Sequence, residues 1–108
     1  MQFVIQERKV VFLQNMISII DLYNLIEKRK EELPEESYTA SLFREGEDKI
    51  VQKVGEEAVE VIIAAKSGLK QRVIEEAADL LYHSLVLLSY LNIKPQEIMD
   101  ELERRNKH

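Results

Sequence analysis

Helical spacing governs the chain from residue 18 onward. Ile19, Leu22, Ile26 and Leu33 recur at steps of three, four and seven, which lines one face of a helix. Ser18-x-x-Asp21 has the form of a capping box, with Asp in place of the usual Glu. Leu33-Pro34 ends the pattern, so a first helix is predicted from Ser18 to about Glu32. Residues 34–46 lose the periodicity and read as a polar loop around Ser37-Tyr38-Thr39-Ala40-Ser41-Leu42-Phe43. A loop of that length in a compact domain is commonly functional.

A second helix is predicted from about Asp48 to Lys66, with Ile50, Val54, Ala58, Val61 and Ala65 as its apolar stripe. Gly55 inside it costs about 1 kcal/mol relative to Ala; it either admits a close neighbour or is tolerated. Ser67-Gly68 is a C-terminal stop suited to a left-handed cap. A third helix runs from about Lys70 to Leu91. Past Asp79 it is apolar on nearly every side: Leu80, Leu81, Leu85, Val86, Leu87 and Leu88. Such a helix must be covered all round, so a homodimer or higher homo-oligomer is expected. Asn92-Ile93-Lys94-Pro95 breaks the chain, and a last helix to about Arg105 carries Ile98, Met99 and Leu102. The expected fold is all-α: a bundle of four to five helices around a central antiparallel helix hairpin, completed by oligomerisation.

Residues 1–18 fall outside this regularity. Phe3-Val4-Ile5 and Val10-Val11-Phe12-Leu13 are apolar, with Glu7-Arg8-Lys9 between them. They lack the order of a signal peptide, and read as an extension of unknown role ahead of a domain spanning 19–108. Met16 is a plausible alternative start.

Composition narrows the chemistry. The 108 residues hold no cysteine, which excludes thiolate zinc sites and cysteine nucleophiles. A net charge of −5 argues against nucleic-acid or membrane-surface partners. No apolar run reaches membrane-spanning length, and a cytoplasmic location is expected.

Two acidic patterns then stand out. Glu56-Glu57-x-x-Glu60 and Glu76-x-x-Asp79 each set carboxylates at i and i+3 along one helix. One such pair is more commonly a solvated face. Here both stripes adjoin apolar stripes, with Glu57 nearest the apolar edge and expected to be the most buried glutamate. In a symmetric hairpin about Gly68, Glu60 lies level with Glu76, Glu57 with Asp79 and Lys53 with His83. Converging carboxylates repel unless a cation joins them. All-oxygen donors select Mg²⁺, with Mn²⁺ possible, so Glu57, Glu60, Glu76 and Asp79 are the candidate metal ligands. Such a site suits attack of water on a phosphoanhydride, with Lys49, Lys53 and Arg72 placed to hold phosphate oxygens. A di-iron carboxylate bundle wants Glu-x-x-His pairs; His83 follows Asp79 by four residues, so the spacing is wrong. His83 reads either as a packed helix residue or as a substrate contact.

The strings Ser37–Phe43, Gln52-Lys53-Val54-Gly55-Glu56-Glu57-Ala58-x-Glu60 and Glu75-Glu76-Ala77-Ala78-Asp79-Leu80-Leu81-Tyr82-His83 carry a resemblance. The acidic signature resembles that of the all-α, MazG-like nucleotide pyrophosphohydrolases. The fuller strings closely resemble the phosphoribosyl-ATP pyrophosphatase family of histidine biosynthesis, over about Ile19 to Arg105. The resemblance implies Mg²⁺-dependent hydrolysis of 1-(5-phosphoribosyl)-ATP to 1-(5-phosphoribosyl)-AMP and pyrophosphate. It implies metal binding by Glu57, Glu60, Glu76 and Asp79, and catalysis involving Glu57 and Glu56, the latter as a further ligand or as the group orienting water. It implies phosphate binding by Lys53 and closure over the substrate of the Ser37–Phe43 loop, in which Ser41 is a candidate substrate-binding residue. Many members are fused to a cysteine-dependent cyclohydrolase; without cysteine this chain is expected to perform one step. The alternatives are a house-cleaning nucleoside triphosphate pyrophosphohydrolase and a non-enzymatic helical dimerisation module.

Overall fold

The computed structural model describes residues 17–106. The expected extension over 1–18 lies outside this span except for its last two residues. Five helices follow one another: α1 (Ile19–Glu32), α2 (Tyr38–Glu45), α3 (Glu47–Ser67), α4 (Lys70–Tyr90) and α5 (Pro95–Asn106). The described residues form an all-α bundle.

Local chemistry explains where the helices begin and end. The Ser18 hydroxyl accepts from the Asp21 amide at 3.0 Å, and the Asp21 carboxylate accepts from the Ser18 amide. This is the expected capping box. Leu33 closes α1 in the left-handed region at φ 47°, a conformation that costs a leucine energy. Arg44 holds this turn by donating to the carbonyls of Leu33 and Pro34 at 2.7 and 2.8 Å. Gly68 closes α3 at φ 77°, its amide donating to the Ala65 carbonyl. A left-handed glycine there turns the chain directly into α4.

One expectation is corrected. Residues 34–46 are not a loop throughout, because Tyr38–Glu45 is helical. Ser37 caps the helix, its hydroxyl accepting from the Ala40 amide at 3.1 Å. Thr39, Ala40 and Leu42 are buried, so one face of α2 packs against α1 and α3. Eight residues are too few for the helical period to stand out in sequence, and tertiary packing stabilises so short a helix.

The core joins α1, α2, α3 and α4 through Leu22, Tyr23, Ile26, Leu42, Ile50, Tyr82, Leu85 and Val86. Helices α3 and α4 pack against each other as the predicted antiparallel hairpin. Their outer surfaces stay apolar: Val59, Ile62 and Ile63 on α3, and Ile74 and Leu81 on α4, are all exposed. Ile98, Met99 and Leu102 on α5 are exposed as well. A Cβ at Gly55 would meet open space, so nothing among the described residues requires glycine there.

Candidate active site

The hairpin brings the acidic stripes face to face. Carboxylate oxygens of Glu57 on α3 and of Glu76 and Asp79 on α4 lie within 4.8 Å of one another. Glu57 is 7% exposed and Asp79 9%, whereas Glu56 is exposed and Glu60 half-buried. Glu57 is thus the most buried of the three glutamates, as its angular position implies. Burial and the neighbouring Glu57 push the Asp79 carboxyl above its ordinary range. Burial, Asp79, Glu57 and Glu60 do the same to Glu76. Three anionic groups so placed hold a shared deficit of positive charge.

Glu60 stands outside this group. Its carboxylate lies 4.0 Å from the Arg72 guanidinium, both side chains being nearly half exposed. An ion pair of that kind contributes little. The two residues therefore occupy the outer end of the acidic stripe rather than its centre.

Lys53 supplies the nearest positive charge. Its ammonium lies 3.5 Å from both Glu56 and Glu57. Burial works against that charge, but Tyr38, Glu57 and Glu56 outweigh it and raise its pKa. Glu56 also accepts from the Gln52 amide at 2.8 Å. That hydrogen bond, followed by Lys53 and Lys49, keeps its carboxyl below the ordinary range despite slight desolvation. Lys49 is half-buried one turn before Lys53.

His83 sits beneath the cluster at 1% exposure. Its Nδ1 is 2.8 Å from the Asp79 carbonyl, which can only accept. Nδ1 therefore carries the proton, Nε2 is an acceptor, and the Tyr38 hydroxyl donates to it at 3.0 Å. Burial lowers the His83 pKa, consistent with a neutral ring in this role. Tyr38 and Tyr82 both meet that ring edge to face. Next to them, Thr39 and Tyr82 share a buried hydrogen bond. Ser41 is half-buried and donates to the Tyr38 carbonyl at 2.5 Å, so its hydroxyl serves α2 itself. The expected substrate-closing segment is thus a helix pinned to α4 through Tyr38–His83 and Thr39–Tyr82. These partners escaped sequence reasoning because they lie more than forty residues apart; the adjacent Tyr38-Thr39 and Tyr82-His83 dipeptides were the only local sign.

The donor set suits a hard divalent cation: three carboxylate oxygens can converge, two of the groups are buried, and no histidine belongs to the group among the described residues. The sequence profile described as "Phosphoribosyl-ATP pyrophosphohydrolase" matches residues 19–106. The chain belongs to that family. It is 56% identical over 84 residues to the phosphoribosyl-ATP pyrophosphatase of Geobacter sulfurreducens, covering 78% of each chain. It is 55% identical over 86 residues to that of Clostridium acetobutylicum, covering 80% of this chain and 78% of the relative. The histidine biosynthesis bifunctional protein HisIE of Pyrococcus furiosus is 48% identical over 103 residues, 94% of this chain but 48% of that protein. As a phosphoribosyl-ATP pyrophosphohydrolase family member, the chain is a hydrolase acting on a pyrophosphate bond. No helix among the described residues is long and apolar enough to cross a membrane.

Proposed function

We propose that this chain hydrolyses 1-(5-phosphoribosyl)-ATP to 1-(5-phosphoribosyl)-AMP and pyrophosphate, using Mg²⁺ or Mn²⁺, as a step of histidine biosynthesis in the cytoplasm. The observation that carries the proposal is the convergence of Glu57, Glu76 and Asp79 within 4.8 Å, on the hairpin of a chain whose relatives are named for this substrate. Water adds to the α-phosphorus, the bond to the bridging oxygen of the β-phosphate breaks, and pyrophosphate leaves with that oxygen.

Glu57, Glu76 and Asp79 would hold the cation, with Glu60 reaching it after release from Arg72. A cation held there would supply charge to offset the phosphates and would make water a better nucleophile. Lys53, already charged and half-buried beside Glu57, binds a phosphate oxygen; Lys49, one turn before it, and Arg72, at the other end of the acidic stripe, are further cationic groups for phosphate oxygens. Glu56 is held by Gln52 and Lys53 at the open side, where it accepts a hydrogen bond from the attacking water. His83, through its fixed tautomer, keeps Tyr38 and the start of α2 over the cluster.

The exposed apolar residues of α3 and α4 support a homodimer. Val59, Ile62, Ile63 and Leu81 are 43–62% exposed, and leaving such residues in water forfeits the burial that association supplies.

The test is pyrophosphate release, with and without Mg²⁺, from phosphoribosyl-ATP and from the ordinary nucleoside triphosphates. The proposal expects Mg²⁺-dependent turnover that favours phosphoribosyl-ATP. Preference for a free nucleoside triphosphate would overturn the substrate, and equal turnover in excess chelator would overturn the metal.

A further inference from the structure

Helix α1, the turn at 34–37 and the start of α2 form a V that encloses a cleft of about 620 Å³, within the size range of small-ligand sites. Leu22, Leu25 and Ile26 line its apolar side, and Tyr38, Thr39 and Tyr82 line its inner end. Arg29 projects from the same side of α1, while Glu32 and Glu36 stand near the turn. The apex does not depend on a ligand for its shape, because Arg44 already ties Leu33 and Pro34 together.

The cleft and the carboxylate cluster share a partition. Tyr38 lines the cleft, yet its hydroxyl donates to His83 beside the cluster. Tyr82, at the inner end, follows Asp79 by three residues on α4, roughly 5 Å along the helix axis. The cleft and the carboxylate cluster are thus neighbours across the Tyr38–His83 pair.

This inference rests on the function proposed above. Phosphoribosyl-ATP differs from a free nucleoside triphosphate by a ribose 5-phosphate on the base, at the end remote from the triphosphate. That arm needs a cationic partner of its own. Arg29 is half-buried and pairs with no carboxylate among the described residues. Its planar fork suits a phosphate monoester. The Glu32 and Glu36 carboxylates can accept hydrogen bonds from ribose hydroxyls, and they disfavour a phosphate away from Arg29. Leu25 and the Tyr38 ring, both half-buried, offer apolar surface to the base. We propose that this cleft takes the phosphoribosyl arm of the substrate, with Arg29 binding its 5-phosphate and so selecting phosphoribosyl-ATP over free nucleoside triphosphates.

Steady-state kinetics of Arg29→Ala and Arg29→Lys test this, with ATP as a competitive inhibitor for comparison. Arg29→Ala is expected to raise KM for phosphoribosyl-ATP by about tenfold or more with kcat nearly unchanged, as for a lost charge-assisted contact made equally in ground and transition states. The inhibition constant of ATP stays the same, and Arg29→Lys recovers part of the loss. Leu25→Trp, which narrows the cleft without touching charge, gives the same split and serves if Arg29→Ala does not fold. Unchanged KM in these variants, or an equal weakening of ATP, would overturn the cleft assignment. Failure of the wild-type protein to release pyrophosphate from phosphoribosyl-ATP would instead overturn the function on which it rests.

Discussion

Helix α4 carries two polar clusters, and they are built on opposite principles. At its C-terminal end, the Ser89 hydroxyl donates to Glu27 at 2.5 Å, and Lys30 reaches the Ser89 carbonyl at 2.7 Å and Glu27 at 3.0 Å. Tyr23 donates to the Ile93 carbonyl at 2.8 Å. Every charge there has its opposite. Burial alone would raise the Glu27 pKa, but Ser89 and Lys30 more than offset it and hold it below the ordinary range. At the middle of α4, Glu76 and Asp79 face Glu57, and both have raised pKa values. One cluster is complete within the chain and ties α1 to α4. The other keeps two carboxyls above their ordinary range even with Lys53 beside Glu57, and under the proposed function a cation from outside completes it. That contrast, more than the number of acidic residues, is what the proposed function uses to separate a structural cluster from a working one.

Substitutions should divide along this line. Asp79→Asn and Glu57→Gln each remove a buried donor to the cation and should lower pyrophosphate release by about 10³-fold, equivalent to roughly 4 kcal/mol of barrier. In metal-free buffer Asp79→Asn should melt at or above the wild-type temperature, because it removes a repulsive charge, whereas Glu57→Gln also breaks the ion pair with Lys53 and should gain less. Glu60→Gln should cost about tenfold or less, since Glu60 starts outside the trio. A loss as large as that of Asp79→Asn would show that the cation draws Glu60 fully into the site.

Glu27→Ala should behave in the opposite way. It leaves the buried Ser89 hydroxyl without its acceptor and should cost about 1–2 kcal/mol of stability, read by urea unfolding, with the rate per folded molecule unchanged. The pH dependence has a defined sign. Because folding lowers the Glu27 pKa, its contribution is fully present above the ordinary carboxylate pKa and is lost as pH falls through the lowered value. The wild-type advantage over Glu27→Ala should therefore shrink on the acid side. The smallest effect is expected at Gly55, where an added Cβ meets open space. Gly55→Ala should stabilise the protein by about 0.5–1 kcal/mol and leave the response to Mg²⁺ unaltered.

The sequence carried the hairpin because its signals are local and mutually consistent. Apolar spacing on both helices and Gly68 between them fix an antiparallel pair, and equal distances from Gly68 place Glu57 opposite Asp79. The same arithmetic treats all levels alike, so it cannot show Glu60 turning outward to Arg72; that depends on side-chain rotamers. Helix α2 was illegible because eight residues give barely two turns of pattern, and burial of Ala40 and Leu42 decides its state. The Tyr38–His83 and Thr39–Tyr82 bonds, and the cleft behind them, depend on how α1 and α2 fold back over α4. No local spacing encodes that.

Calorimetric titration of Mg²⁺ into the wild-type protein and into Glu57→Gln/Asp79→Asn bears most directly on the central claim. Saturable binding to the wild type, abolished in the double variant while Glu27→Ala binds normally, is the expected result. Equal binding to the wild type and the double variant would contradict it.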